Sequence, residues 1–346
     1  MKVRVGIAGV GNCASVLVQG LRYYSGRRRD GLWHPTVAGL EPSDIQVVAA
    51  FDIDGSKVGL DLSEAIFAKP NVARRYIDVP PSGVTVSKGV ANGDVAPHLA
   101  QRDVVSGKRS DVVDTLRESR ADILLNLISS GSDGSSEEYA AAALEAGCSF
   151  VNCTPSLLLR KKRLTSSFVR KRLALVGDDL MSQFGGTVFH KGLLNLMVKR
   201  GVKVSRSYQL DVGGGSETFN TIEERIKMAK REVKTSSVAS EVPYKFETVA
   251  GTTDYVDYMG NERTSYFWVE GSSFLNSGIS VDVYLRSSDG ANAGNILFDV
   301  LRATHWSVKK GRLRNIADIC GYGFKSPPSP VHFEEAYGRF IDLFVT

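Results

Sequence analysis

Short apolar runs alternate with amphipathic segments through the N-terminal part of the chain. Five runs contain few charged side chains and occupy positions 3–8, 45–52, 121–128, 149–153 and 174–179. Strands that are covered on both faces have this composition, and the helices that cover a parallel sheet are amphipathic. The pattern therefore predicts an α/β fold with a parallel sheet, in which helices connect successive strands.

The segments between these runs are predicted to be helical from the spacing of their apolar residues. Helices are expected at positions 15–21, 56–67, 111–120 and 137–146. Gly147 directly follows the last of them and suits the left-handed position at which many helices end. Strand and helix thus follow one another in the order that a doubly wound fold requires.

The pattern changes after about residue 200. A strand at 208–212 ends in three glycines, and a charged helix is expected at 223–234. Apolar and polar residues alternate at 264–270 and 279–285, which is typical of antiparallel strands with one buried face. The chain is therefore predicted to contain a second, mixed α+β domain.

A glycine turn follows the first predicted strand. Residues 9–14 have the sequence Gly-Val-Gly-Asn-Cys-Ala, which is the G-x-G-x-x-A form of the dinucleotide-binding fingerprint. Gly9 permits the tight turn, Gly11 lets the backbone approach a pyrophosphate, and Ala14 lets the helix pack closely on the strand. A glycine turn without a ligand is the alternative, but the position between a strand and a helix favours dinucleotide binding.

Asp52 ends the second predicted strand, where this fold places an acid that accepts hydrogen bonds from the adenosine ribose. It lies farther from the glycines than the usual spacing of about 20 residues, because a polar loop at 24–44 is inserted. A carboxylate there would repel a 2′-phosphate, which favours NAD over NADP. A solvent-facing aspartate in a turn is the alternative. The polar loop that starts at Ser129 and Ser130 is also expected to present its backbone to the cofactor.

Composition and cysteine usage favour a cytoplasmic protein without a membrane partner. Hydrophobic residues make up 42% of the chain and charged residues 23%, which is typical of a globular protein. No apolar run approaches the roughly 18–20 residues that span a bilayer, and no signal peptide is recognisable. Four cysteines, at positions 13, 148, 153 and 320, lack the spacing of a zinc site and are expected to be reduced.

The charge pattern favours a small anionic ligand over nucleic acid. The net charge is +5, and a tight basic cluster at residues 27–29 lies in a loop without interleaved aromatic residues. A solvated loop is the favoured interpretation of that cluster. Lys230 and Lys234 share one face of the predicted charged helix, and a close pair of amines has a lowered pKa in at least one member. Such amines could transfer protons or could simply form a solvated helix face.

Several segments of the chain resemble myo-inositol-1-phosphate synthases of the shorter prokaryotic type, nearly from end to end. The matching segments are Gly-Val-Gly-Asn-Cys-Ala-Ser at 9–15, Ala-Phe-Asp-Ile-Asp at 50–54, Gly-Asp-Asp at 177–179 with Ser182 and Gln183, Lys230 with Lys234 and Thr235, and Lys-Ser-Pro-Pro at 325–328.

The resemblance implies NAD as cofactor, a phosphorylated sugar as substrate and a homotetramer. It also implies a Rossmann domain of residues 1–200, completed by 291–346, and a catalytic and oligomerisation domain of residues 201–290. The catalytic and phosphate-neutralising residues would be Lys230, Lys234 and Lys325. The cofactor-binding residues would be Gly9, Gly11, Asn12, Cys13, Ala14, Asp52, Ser129, Ser130, Asp179, Ser182, Gly214, Gly215 and Asp289. No ligand spacing marks a metal site, although Glu217, Asp254 and Asp289 are acids that could help to hold a cation.

The chemistry that the resemblance implies is redox-neutral: a sugar hydroxyl is oxidised, the adjacent carbon becomes an enolate, the enolate attacks the sugar's own carbonyl, and the ketone is reduced again. Lysine ammonium groups would stabilise the negative oxygen. Three positions depart from the family pattern. Met181 replaces a lysine, Gly215 replaces an asparagine, and the segment Ser288–Gly294 places its acid, Asp289, one residue late.

These departures leave several functions open. Glucose 6-phosphate closing to myo-inositol 1-phosphate is the favoured reaction, and fructose 6-phosphate closing to a five-membered ring is the alternative. A dehydrogenase with net hydride transfer is a second possibility, and an inactive NAD-binding scaffold is a third.

Overall fold

A computed structural model describes residues 2–345, and the apolar runs pair in it as one parallel sheet of six strands. The strand order is β3-β2-β1-β4-β5-β6, so the order reverses between β1 and β4. In the central register, Val5 pairs with Val47 of β2 and Ile123 of β4. The strands are β1 Val3–Ala8, β2 Ile45–Asp52, β3 Val86–Lys88, β4 Ile123–Asn126, β5 Ser149–Asn152 and β6 Leu175–Val176.

Helices cover both faces of this sheet and form a separate core on each. One core contains Leu17, Leu297 and Phe340, and the opposite core contains Leu116 and Phe168. The helices of the first group are α1 Asn12–Tyr23, α9 Asp289–Lys309, α10 Ile316–Gly323 and α11 Phe333–Phe344. Those of the second group are α3 Arg109–Glu118, α4 Asp133–Ala146 and α5 Lys162–Arg170. The predicted α/β fold with a parallel sheet is thus confirmed.

A second sheet of four strands has the order β10-β9-β7-β8, in which β7 and β8 are parallel and the other pairs are antiparallel. Leu194, Val238 and Val269 pack between this sheet and two helices. The strands are β7 Lys203–Gly213, β8 Glu247–Tyr255, β9 Glu262–Ser272 and β10 Gly278–Ser288, and the helices are α6 Gly186–Lys199 and α8 Glu224–Ala239. The predicted mixed α+β architecture is therefore confirmed.

The helix predicted at 56–67 is wrong for most of its length, because only the segment α2 Leu62–Ala65 is helical. The side chain of Asp54 accepts hydrogen bonds from the N–H and hydroxyl of Ser56, which stabilises a turn in place of the first helical turn. Gly59 then adopts a φ of +90°, and Asp61 caps the short helix by accepting from the N–H of Ser63.

The inserted loop is held against α9 by a buried arginine. Arg302 is fully buried, and its guanidinium donates hydrogen bonds to the carbonyls of His34, Pro35 and Leu40 and to the carboxylate of Asp299. The insertion does not separate the glycine turn from Asp52, whose carboxylate accepts a hydrogen bond from the N–H of Val10 at 2.8 Å.

The remaining elements are short. They are the helix α7 Ser216–Phe219 and 3₁₀ helices at Pro42–Asp44, Pro97–Leu99, Leu158–Arg160, Asn220–Ile222, Asp257–Met259, Phe274–Asn276 and Leu313–Asn315. Within residues 2–345, no helix combines the length and the apolar composition that crossing a bilayer requires.

Candidate functional site

The glycine turn joins β1 to α1 in a conformation that leaves its backbone accessible. Gly9 has a φ of +89°, and a Cβ at that position would lie 2.8 Å from the backbone nitrogen of Ile128. A Cβ on Gly11 would meet no protein atom within 4 Å, so Gly11 borders open space. Gly11 is also the N-cap of α1 and lacks a capping side chain. The first N–H groups of this helix are therefore available to an anion.

The turn opens into a first cavity of about 960 Å³, a volume that includes its opening to solvent. The cavity lies beside the carboxyl ends of β1 and β4, where the strand order reverses and doubly wound folds bind dinucleotides. The predicted cofactor residues that line it are Gly9, Gly11, Asn12, Cys13, Asp52, Ser129, Gly215 and Asp289.

Asp52 contributes to the wall of the first cavity and also holds the turn. Its Oδ2 accepts a hydrogen bond from the N–H of Val10 at 2.8 Å, and its Oδ1 accepts one from the N–H of Asp54 at 2.9 Å. The amine of buried Lys57 lies 3.9 Å from the same Oδ2. The carboxylate is thus buried rather than facing bulk solvent, and its remaining acceptor sites could receive ribose hydroxyls.

A second cavity of about 1010 Å³ adjoins the first. The residues that line both cavities are Cys13, Leu127, Ile128, Glu217 and Asp289. The second cavity is strongly charged, and its wall contains Lys230, Lys234, Arg263, Lys325, Asp179, Asp211, Glu217 and Asp289. The three lysines predicted from the sequence therefore meet at one place, next to the glycine turn.

Each of the four cations in the second cavity is paired with one carboxylate. The pairs are Lys230 with Glu217 at 2.8 Å, Lys234 with Asp211 at 2.6 Å, Arg263 with Asp289 at 2.9 Å, and Lys325 with Asp179 at 2.7 Å. The formal charges of these eight side chains cancel. An anionic ligand that enters must therefore share or take over at least one of the cations.

The pairing lowers the pKa of two of these carboxylates, Glu217 and Asp211. Burial alone would raise the pKa of Glu217, but Lys230 and hydrogen bonds from Ser130 outweigh it and lower that pKa to about 2. The pKa of Asp211 is likewise lowered, because Lys234 and Arg263 outweigh its burial. Burial raises the pKa of the Cys13 thiol to about 12, so this thiol stays protonated between the two cavities.

The N-terminus of α6 also faces the second cavity. Gly185, Gly186 and Thr187 line the cavity, and the N-cap Gly185 has no capping side chain. A Cβ on Gly186 would lie 2.2 Å from the side-chain amide nitrogen of Gln209, so a larger residue here would require Gln209 to move. The positive end of a helix attracts anions, and here it acts together with four cationic side chains.

Not every predicted site residue lines a cavity. Ala14 is buried beneath the turn, and Gly214 packs against the 256–260 loop, where a Cβ would lie 2.6 Å from the backbone nitrogen of Gly260. Ser130 donates hydrogen bonds from its N–H and hydroxyl to Glu217, both at 2.9 Å. Asp179 and Ser182 line the second cavity, whereas Met181 lines neither of the two.

Sequence reasoning missed Arg263 and Asp211. Both lie on strands of the second sheet, β9 and β7, and no motif marks them. The available signal was weak: Asp211 is the one charged residue in the predicted strand at 208–212. Among residues 2–345, no three His, Cys, Asp or Glu side chains are grouped as a metal site would require.

A buried hydrogen-bonded chain leads from the second cavity into the core of the second sheet. His190, on α6, contacts the side-chain oxygen of Gln209 through Nδ1 at 3.4 Å and the hydroxyl of Ser207 through Nε2 at 3.1 Å. Burial lowers the pKa of His190 to about 4, although Gln209 and Asp211 act in the opposite direction. His190 is therefore neutral at physiological pH.

This pKa predicts an acid-sensitive contribution to stability. Because the pKa falls from 6.5 in the unfolded chain to about 4 in the folded one, the contribution is complete above pH 6.5 and is lost as the pH falls towards 4. We expect the stability advantage of the native chain over His190→Gln, measured by urea unfolding, to shrink by roughly 3 kcal/mol between pH 7 and pH 4. An advantage that stays constant over this range would contradict the assignment.

Comparison with known proteins relates this site to one enzyme family. A family model described as myo-inositol-1-phosphate synthase matches residues 185–290. The inositol-3-phosphate synthase of Corynebacterium glutamicum is 34% identical, over 99% of this chain and 98% of its own length. The chain belongs to this family. The inositol-3-phosphate synthase of Mycobacterium tuberculosis is also 34% identical, over 99% of this chain and 96% of its own.

Two solved structures share the fold of this chain. The crystal structure of Ari2 has a TM-score of 0.79 and 30% sequence identity, with 99% of each chain covered. Inositol-3-phosphate synthase from Caenorhabditis elegans has a TM-score of 0.77, over 99% of this chain and 85% of that one. Its identity of 15% shows the shared fold alone.

Proposed function

We propose that this member of the family is an NAD-dependent sugar-phosphate cyclase that converts glucose 6-phosphate to myo-inositol 1-phosphate. The observation that carries the proposal is the junction of the two cavities. A cavity beside a dinucleotide fingerprint opens onto a cavity with four cations and a helix N-terminus. Such a junction suits a redox cofactor placed against an anionic substrate.

The first cavity fits NAD by the character of its wall. Gly11 leaves open space beside the N-terminus of α1, where a pyrophosphate could bind, and Asp52 could accept hydrogen bonds from a ribose. A carboxylate at that position disfavours a 2′-phosphate. When bound, the nicotinamide would accept a hydride from the sugar and later return it. Cys13, Glu217 and Asp289, which line both cavities, are the polar residues that we place nearest to the junction.

In the second cavity, this chain would bind the phosphate and stabilise the reacting oxygens. The N–H groups at the start of α6 and the nearby cations suit a phosphate dianion. Lys230, Lys234 and Lys325 would place ammonium groups beside the oxygen that becomes negative during enolisation and ring closure. Because each ammonium is already held by a carboxylate, it is oriented before the substrate arrives.

Ring size depends on which carbonyl the enolate attacks. In both hexose phosphates, oxidation at carbon 5 acidifies carbon 6. Attack on carbon 1 of the glucose derivative gives a six-membered ring, and attack on carbon 2 of the fructose derivative gives a five-membered one. Two departures from the family pattern, at Gly215 and Asp289, lie in the wall of the first cavity. Because of these two departures, the five-membered product is our second candidate.

Product analysis tests the proposal and its alternatives. The protein is incubated with NAD and either hexose phosphate, and the product ring is identified by NMR while NADH absorbance is recorded. A cyclase gives a carbocyclic phosphate without accumulated NADH. A dehydrogenase gives stoichiometric NADH, and an inactive scaffold gives neither product, so either result would reject the proposal.

We also propose a homo-oligomer, with a tetramer as the expected state, in the cytoplasm and without nucleic-acid or membrane partners. The support is an aromatic surface on the second sheet. Tyr208 stacks on Trp268 with ring centroids 5.4 Å apart, and Tyr266 contacts Tyr284, which is 72% exposed. Aromatic residues of this kind are enriched at protein interfaces. A molecular mass of a single chain, measured by light scattering, would reject the homo-oligomer.

We also propose the domain boundaries near residues 200 and 290 that the sequence predicts.

A further inference from the structure

One of the four ion pairs in the second cavity differs from the other three in its burial. The side chains of Lys234 and Asp211 are 5% and 1% exposed. In two of the other pairs the carboxylate is open to the cavity, with Glu217 40% and Asp289 36% exposed. A carboxylate that a ligand cannot reach is not available for exchange with a phosphate.

Both carboxylate oxygens of Asp211 accept hydrogen bonds from protein donors. Its Oδ1 accepts from the amide of Gln209 at 2.9 Å and from the hydroxyl of Ser265 at 2.6 Å. Its Oδ2 accepts from the amine of Lys234 at 2.6 Å and from the same Gln209 amide at 3.1 Å. Three protein donors thus occupy both oxygens of a carboxylate that has about four acceptor sites.

Residues behind Asp211 fix the direction of these hydrogen bonds. The amide nitrogen of Gln209 is committed to Asp211, so its oxygen faces His190. His190 is neutral, and we assign its Nδ1 as the donor to that oxygen. Its Nε2 then accepts from Ser207, whose hydroxyl also lies 2.8 Å from that of Thr248. In this series of hydrogen bonds each donor therefore points towards the Asp211 carboxylate.

Lys234 needs that carboxylate in order to stay charged. Burial lowers the pKa of its amine, and Arg263, Lys325 and Lys230 lower it further. Asp211 is the group that opposes them, from β7. A neutral amine would lose the charge that stabilises an oxyanion.

We infer that Asp211 is a positioning residue that keeps Lys234 a fixed ammonium rather than a proton-transferring amine. Asp211 does not touch the substrate and acts through Lys234. The inference rests on the proposed function for its role in the reaction, but the charge state of Lys234 can be tested without it. Proton transfer then falls to Lys230, the lysine whose carboxylate partner, Glu217, is open to the cavity.

The test is Asp211→Asn, with Ser265→Ala as the matched control that removes one hydrogen bond to Asp211 but keeps its charge. We expect the alkaline limb of the rate profile of Asp211→Asn to move down by about one to three pH units, and that of Ser265→Ala to stay near the native position. The inference would be overturned if the alkaline limb stayed at its native pH in both variants, or if it moved by the same amount in both.

A second measurement does not depend on turnover. Reductive methylation modifies neutral amines, and mass spectrometry of the native, folded protein can compare Lys234 with exposed Lys245 at neutral pH. Labelling of Lys234 should increase in Asp211→Asn and not in Ser265→Ala, and equal labelling in all proteins would overturn the inference. If no sugar phosphate is turned over, the proposed function fails while this comparison still decides the charge state.

Lys234→Arg covers the case in which Asp211→Asn does not fold. A guanidinium remains charged at every accessible pH, so the alkaline limb should move up or leave the measurable range. A limb that stays at its native position in Lys234→Arg would show that the limb does not report Lys234, and the inference would be lost.

Discussion

Replacing Lys325 with methionine is expected to lower the rate of cyclisation by about 10²- to 10³-fold, the range for removal of one preorganised donor to a developing oxyanion. Lys325 contacts Asp179 at 2.7 Å and lines the second cavity beside Lys230 and Lys234. Methionine keeps most of the side-chain volume and removes the charge. The measurement is the initial rate of product formation at saturating NAD.

Lys191→Met is the matched control for Lys325→Met. Lys191 is also a buried lysine next to a carboxylate, Glu241 at 3.4 Å, but it does not line the second cavity. Its replacement removes the same kind of ion pair and should reduce stability, while the folded protein keeps its rate per molecule. Equal loss of rate in both variants would mean that ion-pair loss alone explains the effect.

Replacing Gly11 with valine is expected to abolish NAD binding without disturbing the fold. A Cβ at this position meets no protein atom within 4 Å, and the φ of −93° is accessible to valine. The side chain would instead project into the first cavity, where the pyrophosphate is proposed to bind. At an NAD concentration of 100 times the native Kd, the variant should lose the ligand-induced stabilisation of about 2.7 kcal/mol.

Thermal unfolding with and without NAD measures this loss. Gly26→Val serves as the control, since a Cβ there also meets no atom within 4 Å but borders the exposed loop rather than a cavity. It should keep the full NAD-dependent shift. A normal shift in Gly11→Val would place the dinucleotide elsewhere, and a lowered midpoint without NAD would point to a folding defect.

The parallel sheet could be predicted because strands buried on both faces leave long apolar runs in the sequence. The turn at residues 54–59 could not, because Asp54 and Gly59 stabilise it through side-chain hydrogen bonds and a left-handed φ rather than through periodicity. The helix α6 and the strand β8 were also missed. Helix α6 begins at a glycine pair. Strand β8 contains Gly251, where a Cβ would approach the side chain of Arg231 at 3.2 Å.

For the site, helical spacing alone is enough to place Lys230 and Lys234 on one face of α8. Their carboxylate partners could not be predicted, because Asp211 and Glu217 come from other elements and meet the lysines only through tertiary packing. The position of Arg263 in the site could not be predicted for the same reason. The local sequence pattern is thus enough to predict the glycine turn and the helix that contains the lysines, whereas the charge balance of the cavity depends on how the second sheet packs.

Formation of the ring bond is the most direct test of the central claim. Glucose 6-phosphate labelled with carbon-13 at carbons 1 and 6 is incubated with the protein and NAD, as is fructose 6-phosphate labelled at carbons 2 and 6. We predict a new one-bond coupling between the two labels of one of these substrates, with no net NADH. Labels that remain uncoupled while one NADH accumulates per sugar would contradict the account.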